Sequence, residues 1–430
     1  MSNLIFSNFE PSSSAAWKQK IQFELNGADF NETLLTKTNE GITIKPFYHS
    51  DTFEKVNVPI SKNKFCICST IAITNEEYAN FKAVNAIKKG FTSLKFEVSK
   101  PFNFENLFRN LLNNEIEFQF QLRFLSEEFT NKLIAFLKNE TVYINIDIVG
   151  NLAKTGNWYT SLNADFKSIE NLIEQNATTK ILSVNAALYQ NAGANTVQQI
   201  AYALAHANEY FNKFGGKIVK NMQFNFAIGS NYFFEIAKIR AFRYLLNLIL
   251  KEYNTEFDIQ IFAEQSLRNK TANHNINNLR SINESLSAIY SGANTVTANK
   301  FDKELFSETN INDLKIAATD CYYIESITKQ IAEKALNIFK EIEKGGGFLN
   351  QLKEGTIQRK IVENAKKEQT QFNNGELILV GANKYKNTLE TVKLDTFPII
   401  ERKNHKTLII PIIPKRLAEK LEQKKSRNDA

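Results

Sequence analysis

The chain reads as an α/β protein built on a (β/α)8 barrel, and three observations lead there. Short runs of strand length, apolar or alternating, are separated by longer runs whose apolar residues recur every three or four positions. Eight such strands can be marked between Phe65 and Lys300, and eight is the number that closes a barrel of this kind. In the second half, successive strands are separated by a single helix each, which makes right-handed crossovers and leaves the strands parallel.

Residues 1–60 precede the alternation and form an N-terminal arm, with a short amphipathic helix from Trp17 to Leu25 and an extended Lys45-Pro46-Phe47-Tyr48 segment. Carrying Trp17, Phe23, Phe30, Phe47 and Tyr48, the arm needs a surface to lie on: its own barrel or a partner. The barrel occupies residues 61–345. Its first strands are Phe65–Thr70, Ser93–Val98, Phe118–Leu125 and Val142–Val149, with helices at Glu76–Lys89, Phe104–Asn113 and Glu127–Asn139 between them. A helix over Leu162–Asn176 leads to the second half. There Ile181–Ala186, Gln223–Gly229, Asp258–Glu264 and Thr295–Lys300 are the strands. Val197, Ile200, Leu204, Ala207 and Phe211 line one face of the first helix between them. The next, Asn231–Tyr253, turns Phe234, Ala237, Phe242, Leu245 and Leu248 inward, and Ile276–Tyr290 and Asp313–Lys344 complete the set. Function in such a barrel sits on the loops that follow the strands, here Tyr189–Ala194, Gly229–Asn231 and Gln265–Thr271.

Residues 346–430 form a helical extension and a basic tail, with helices near Phe348–Lys353 and Gln358–Phe372, an extended Leu377–Ala382 and a charged helix Lys415–Lys425. Gly345-Gly346-Gly347 lacks the following Lys-Ser/Thr of a phosphate loop and is a helix C-cap.

The net charge is +7, but about +6 of it lies from Arg402 onward. The body therefore has no basic stripe for a nucleic acid. No apolar run reaches the length of a membrane span, and the start lacks the pattern of a signal peptide, so the expected location is cytoplasmic. Cys66 and Cys68 share a strand face, which a buried strand explains better than a metal site.

Several stretches resemble the methylmalonyl-CoA mutase family, and within it the small, non-catalytic subunits of heterodimeric bacterial enzymes. They are Glu40–Tyr48, Ala192-Gly193-Ala194, Phe226–Arg240, Arg268-Asn269-Lys270-Thr271, Glu341–Gly346 and Val380–Tyr385, in family order. The resemblance implies a barrel whose core is threaded by the pantetheine of an acyl-CoA, and a separate domain for adenosylcobalamin. It implies radical interconversion of methylmalonyl-CoA and succinyl-CoA. Ser69, Asn145, Ser183, Asn185, Asn225 and Thr297 suit the small polar lining of such a core, although alternation leaves open which of them point inward.

The departures bear on catalysis. Where catalytic members carry a Tyr-His pair, this chain has Ala187 and Leu188, neither of which can donate a proton. Where they place a carboxylate-binding arginine, Thr155 stands beside Lys154. None of His49, His206, His274 and His405 follows an aspartate by two positions, so the family's Asp-x-His cobalt ligand is missing. The expectation is a chain without catalytic residues or a cofactor of its own, paired with a catalytic large subunit that carries adenosylcobalamin. The alternative is an autonomous barrel enzyme or acyl-CoA-binding module, with Gln265, Arg268 and Lys270 as residual acyl-CoA contacts and Glu264 as a further charged group.

Overall fold

The computed structural model describes residues 10–61, 65–113, 115–298, 318–385 and 406–428. Eight parallel strands close a barrel in simple sequence order. They are β1 (Cys66–Ala72), β2 (Ser93–Val98), β3 (Glu117–Leu122), β4 (Thr141–Ile146), β5 (Lys180–Asn185), β6 (Met222–Ile228), β7 (Gln260–Gln265) and β8 (Thr295–Thr297). Closure is made by β8, which pairs with both β1 and β7.

Alternation decides the two faces. Leu94 and Phe96 on β2, Phe118 and Phe120 on β3, and Phe224 and Phe226 on β6 pack into the apolar layer between barrel and helices. Phe96 stacks on Phe120 with centroids 5.6 Å apart, and Phe226 meets Phe242 of the following helix edge-on at 4.7 Å. Each such ring stabilises the fold by about 1.5–3 kcal/mol on burial. The intervening residues, among them Lys95, Glu117, Gln119, Gln223 and Asn225, are also buried. They point along the axis.

Most of the barrel helices start where the sequence supplies a cap. Asn75, Ser126, Ser161 and Asn273 each accept a backbone N–H from the first turn of the helix they precede. Asn195 and Gln198 form a reciprocal capping box at the head of Thr196–Phe214, and such caps contribute about 1 kcal/mol each.

Some expectations shift. The fourth strand ends at Ile146 because Asp147 caps an unforeseen helix, Ile148–Thr155. The Tyr189–Ala194 stretch is no loop: Ala187–Ala192 is helical and stops at Gly193, whose φ of +106° suits glycine. The helix from Phe104 ends at Phe108, short of Asn113. On Tyr232–Glu252, Leu248 is 37% exposed while Leu246 and Leu250 are buried, so the inward face is rotated slightly from the expected one. Residues 299–300 of the eighth strand and 313–317 of the following helix lie outside the described residues; within them that helix runs Tyr322–Lys344.

The arm divides. Residues 38–61 lie on their own chain, with Ile42 fully buried, Asn39 bonded to Gln371 at 2.7 Å and the Val56 N–H donating to Glu325 at 3.1 Å. The helix Ser14–Glu24 buries no residue at all.

Candidate functional site

Polar side chains fill the barrel axis and bond across it. Near the N-terminal ends of the strands, Thr295 Oγ1 donates to Glu117 Oε1 at 3.1 Å, and the same oxygen accepts from Ser93 Oγ and from Gln119 Nε2 at 2.6 Å. In the middle layer, Gln223 Nε2 lies 2.8 Å from Gln119 Oε1 and 2.9 Å from Asn145 Oδ1, while Asn145 Nδ2 donates to Gln119 at 3.0 Å. Toward the C-terminal ends, Lys95 Nζ meets Glu264 at 2.8 Å and lies over the Phe262 ring. Three of these contacts (Thr295 to Glu117, Gln223 to Gln119, Lys95 to Glu264) join strands three places apart round the ring, so they span the interior.

A backbone irregularity helps to place the middle layer. The register between β4 and β5 shifts between Tyr143 and Ile146, and Asn145 adopts a φ of +48°, which asparagine tolerates better than most residues. Its amide turns into the barrel.

Burial sets the electrostatics. It pushes the Glu117 carboxyl up, against the pull of hydrogen bonds from Gln119, Thr295 and Ser93. Burial also works against the charge on Lys95, but the neighbouring Glu264 carboxylate outweighs it and holds the ammonium above its ordinary value. Gln223 Oε1 and Asn185 Oδ1 are buried acceptors without a partner. Among the described residues, no group of three or more His, Cys, Asp or Glu side chains is placed to hold a metal ion.

The residues singled out in the sequence do not gather into one pocket. Ala187 and Leu188 are buried in the short helix after β5. Thr155 ends its helix with Oγ1 donating to Asn151 O at 2.8 Å. Gln265 is at the barrel mouth, where Nε2 donates to Thr297 O and Oε1 accepts from Thr297 Oγ1. Arg268 leans away from the axis to Glu368 and to Lys415 O, and Lys270 pairs with Glu284 at 3.1 Å. Glu264 is taken by Lys95. Of the small polar residues, Asn145, Asn225 and Thr297 bond within the interior, whereas Ser69 shares a face with Ile67 and Ile71, which belong to the apolar layer.

One cluster was not foreseen. Asp147 Oδ1 accepts from the Gly150 N–H (2.7 Å) and from Tyr210 Oη (2.9 Å), and Oδ2 accepts from the Asn185 N–H (2.8 Å). His206 Nε2 lies 2.9 Å from Oδ1, and its Nδ1 is 2.8 Å from Tyr189 Oη. With Nε2 donating to the carboxylate, Nδ1 accepts the tyrosine proton. Desolvation alone would raise the Asp147 carboxyl, yet His206 and the two N–H donors hold it below its ordinary range. The Phe348 ring lies parallel to the imidazole at 5.6 Å. This assembly ties the ends of β4 and β5 to three helices, Ile148–Thr155, Ala187–Ala192 and Thr196–Phe214. Glycine is required at position 150, because a Cβ there would sit 2.1 Å from Asp147 Oδ2.

Comparison with known proteins bears on this geometry. A methylmalonyl-CoA mutase small subunit from Porphyromonas gingivalis (strain ATCC BAA-308 / W83) is 28% identical, over 90% of this chain and 72% of that one. Methylmalonyl-CoA mutases of Rhizobium meliloti (strain 1021) and Escherichia coli (strain K12) are each 30% identical over 48% of this chain, and the match spans 33% of each of them. The family described as Methylmalonyl-CoA mutase matches residues 136–320 and 305–424, about two thirds of the sequence. With its closed parallel barrel and that match, the chain belongs to the methylmalonyl-CoA mutase family.

Proposed function

We propose that this chain is the non-catalytic member of a mutase pair, which stabilises a cobalamin-bearing large subunit that interconverts methylmalonyl-CoA and succinyl-CoA. The observation that carries the reading is the filled axis. A pantetheine arm threading the barrel would have to displace Gln119, Gln223 and the Lys95–Glu264 pair, and so break bonds that span the interior. A buried ammonium deprived of its carboxylate is costly, which opposes such an opening. Ala187 and Leu188 in place of a proton donor, and a threonine in place of the carboxylate-binding arginine, point the same way.

The residues present do not fit cobalamin. Both ring nitrogens of His206 are engaged inside the protein, His49 lies on the arm beside Phe47, and His274 opens the helix after β7. His405 lies outside the described residues. None of the four stands in an Asp-x-His pair. We assign the cofactor to the partner. Titrated with adenosylcobalamin, the isolated chain and its Leu188→His variant are expected to give no base-off, His-on spectrum and to form no succinyl-CoA, whereas the chain purified with its large subunit is active. A saturable spectral shift with the isolated chain overturns the assignment.

We place the partner contact on the outer arm. Phe23 is 84% exposed, and among the described residues the ring of Trp17 stacks only on Phe47 of the same arm, at 4.6 Å. Covering one such ring is worth about 1.5–3 kcal/mol, which is about a tenfold or greater change in affinity. Deleting residues 1–28, which leaves the buried Phe30 in place, is therefore expected to weaken retention of the large subunit on a tagged column at least about tenfold while the melting temperature of the isolated chain stays the same. Equal retention removes the arm from the interface.

A further inference from the structure

A cleft of about 710 Å³ opens beside the barrel rather than in it, between the helix Thr356–Asn374 and the extended strand-like run from Ile410 to Arg416. Its volume is in the range of small-molecule sites. The walls are apolar, with Ile361 and Ile412 buried at the base and Val362 half exposed at the opening.

Two features say what it would hold. Three ammonium groups line it, Lys366, Lys415 and Lys420, and among the described residues none has a carboxylate within ion-pair distance. The two guanidiniums in the lining are already neutralised, Arg268 by Glu368 and Arg416 by Glu422, and Glu419 offsets one lysine. The cleft thus keeps an excess of positive charge at its rim. The second feature is Gln358, 4% exposed on the wall. Its Nε2 donates to Leu352 O and Ile410 O, but its Oε1 is buried and has no hydrogen-bond partner. A buried acceptor left unpaired costs free energy that a ligand N–H or O–H would recover.

We infer that this cleft binds an anionic amphiphile: an apolar chain along Ile361 and Ile412, an amide or hydroxyl donor to Gln358 Oε1, and a carboxylate or phosphate at the lysines. The inference goes beyond the structural role proposed above and does not depend on it. N-acyl amino acids carry these three groups, and so does the phosphopantetheine arm of an acyl-coenzyme A thioester.

Isothermal titration of the full chain with N-dodecanoylglycine, and separately with dodecanoyl-coenzyme A, distinguishes the two sources. Saturable binding of at least one is expected. Lys366→Glu/Lys420→Glu, at two exposed positions, should weaken it tenfold or more. Val362→Trp, which fills the opening from the solvent side of its helix, should abolish it; circular dichroism melts of both variants should match the parent. If neither compound binds up to 1 mM, or if both variants bind within twofold of the parent, the inference fails. A failure here leaves the cobalamin and large-subunit experiments untouched, and theirs leaves this one.

Discussion

Replacing Asp147 by alanine is expected to cost about 4 kcal/mol of stability, within the range for breaking a buried charged contact from one side. The size follows from what the carboxylate holds. It accepts from the N–H groups of Gly150 and Asn185 and from the Tyr210 hydroxyl, and it faces the His206 ring at 2.9 Å. Without it, the helix Ile148–Thr155 loses its cap, and several buried donors are left without an acceptor. Each orphaned group costs about 1–3 kcal/mol, and the sum is limited because the neighbours rearrange together. Asp147→Asn keeps the shape and one acceptor, so it should lose about half as much. The two variants also separate in their pH dependence. The folded-state pKa of Asp147 is depressed, so its contribution is present above the unfolded value, about 4, and is lost as pH falls through the folded one. Urea midpoints of wild type and Asp147→Asn should therefore converge below about pH 4 and diverge at neutral pH. A constant gap across that range would show that the carboxylate charge is not what stabilises the site.

The barrel was legible because its two kinds of residue alternate without interruption. Ser93-Leu94-Lys95-Phe96-Glu97-Val98 and Glu117-Phe118-Gln119-Phe120-Gln121-Leu122 announce strands with two distinct faces. They do not announce which face is inside, because in a barrel sheathed by helices both faces are buried. Here the strand phenylalanines other than Phe262, which lies under Lys95, face the helices and the polar residues face the axis, the reverse of a usual barrel filled by branched apolar side chains. Ser69 shows the limit of the pattern: it follows Cys68 on the face shared with Ile67 and Ile71, which belong to the apolar layer. The two short helices after β4 and β5 were hidden because apolar residues continue from strand into helix without a change of period. Pairs such as Lys95–Glu264 and His206–Asp147 depend on which strands and helices come to lie opposite one another, and local spacing carries none of that. The proposal that Ala187 and Leu188 stand where catalytic relatives carry a proton donor rests on the sequence alone, since neither side chain can transfer a proton wherever the fold places it.

The other large effect is expected at Glu325, where the inner arm is fastened to the barrel. Its side chain is fully buried and meets Arg240 of the helix Tyr232–Glu252 at 2.5 Å. It also accepts the N–H groups of Val56, at 3.1 Å, and Asp320, at 3.2 Å. Lys55 pairs with Asp320 and Glu54 with Lys329, so three consecutive arm residues are pinned across the first turns of Tyr322–Lys344. Those outer pairs are solvated and contribute little, about 0–1 kcal/mol each. The buried one decides. Glu325→Ala leaves the Arg240 guanidinium enclosed without a counter-charge, and its Nε already lacks a hydrogen-bond partner. A loss of about 3–5 kcal/mol is expected in urea unfolding. The double variant Arg240→Met/Glu325→Leu removes both charges and should regain most of that loss, since a buried pair can often be replaced by apolar side chains of similar size. It does not restore an acceptor for the Val56 N–H. Limited proteolysis should therefore still cut the double variant within residues 38–61 faster than wild type, although its urea midpoint has recovered. If the double variant is as protease-resistant as wild type, the arm is held by its apolar contacts, Ile42 foremost, and Glu325 only neutralises Arg240. If the single variant unfolds at the wild-type midpoint, the pair is not a structural tie at all.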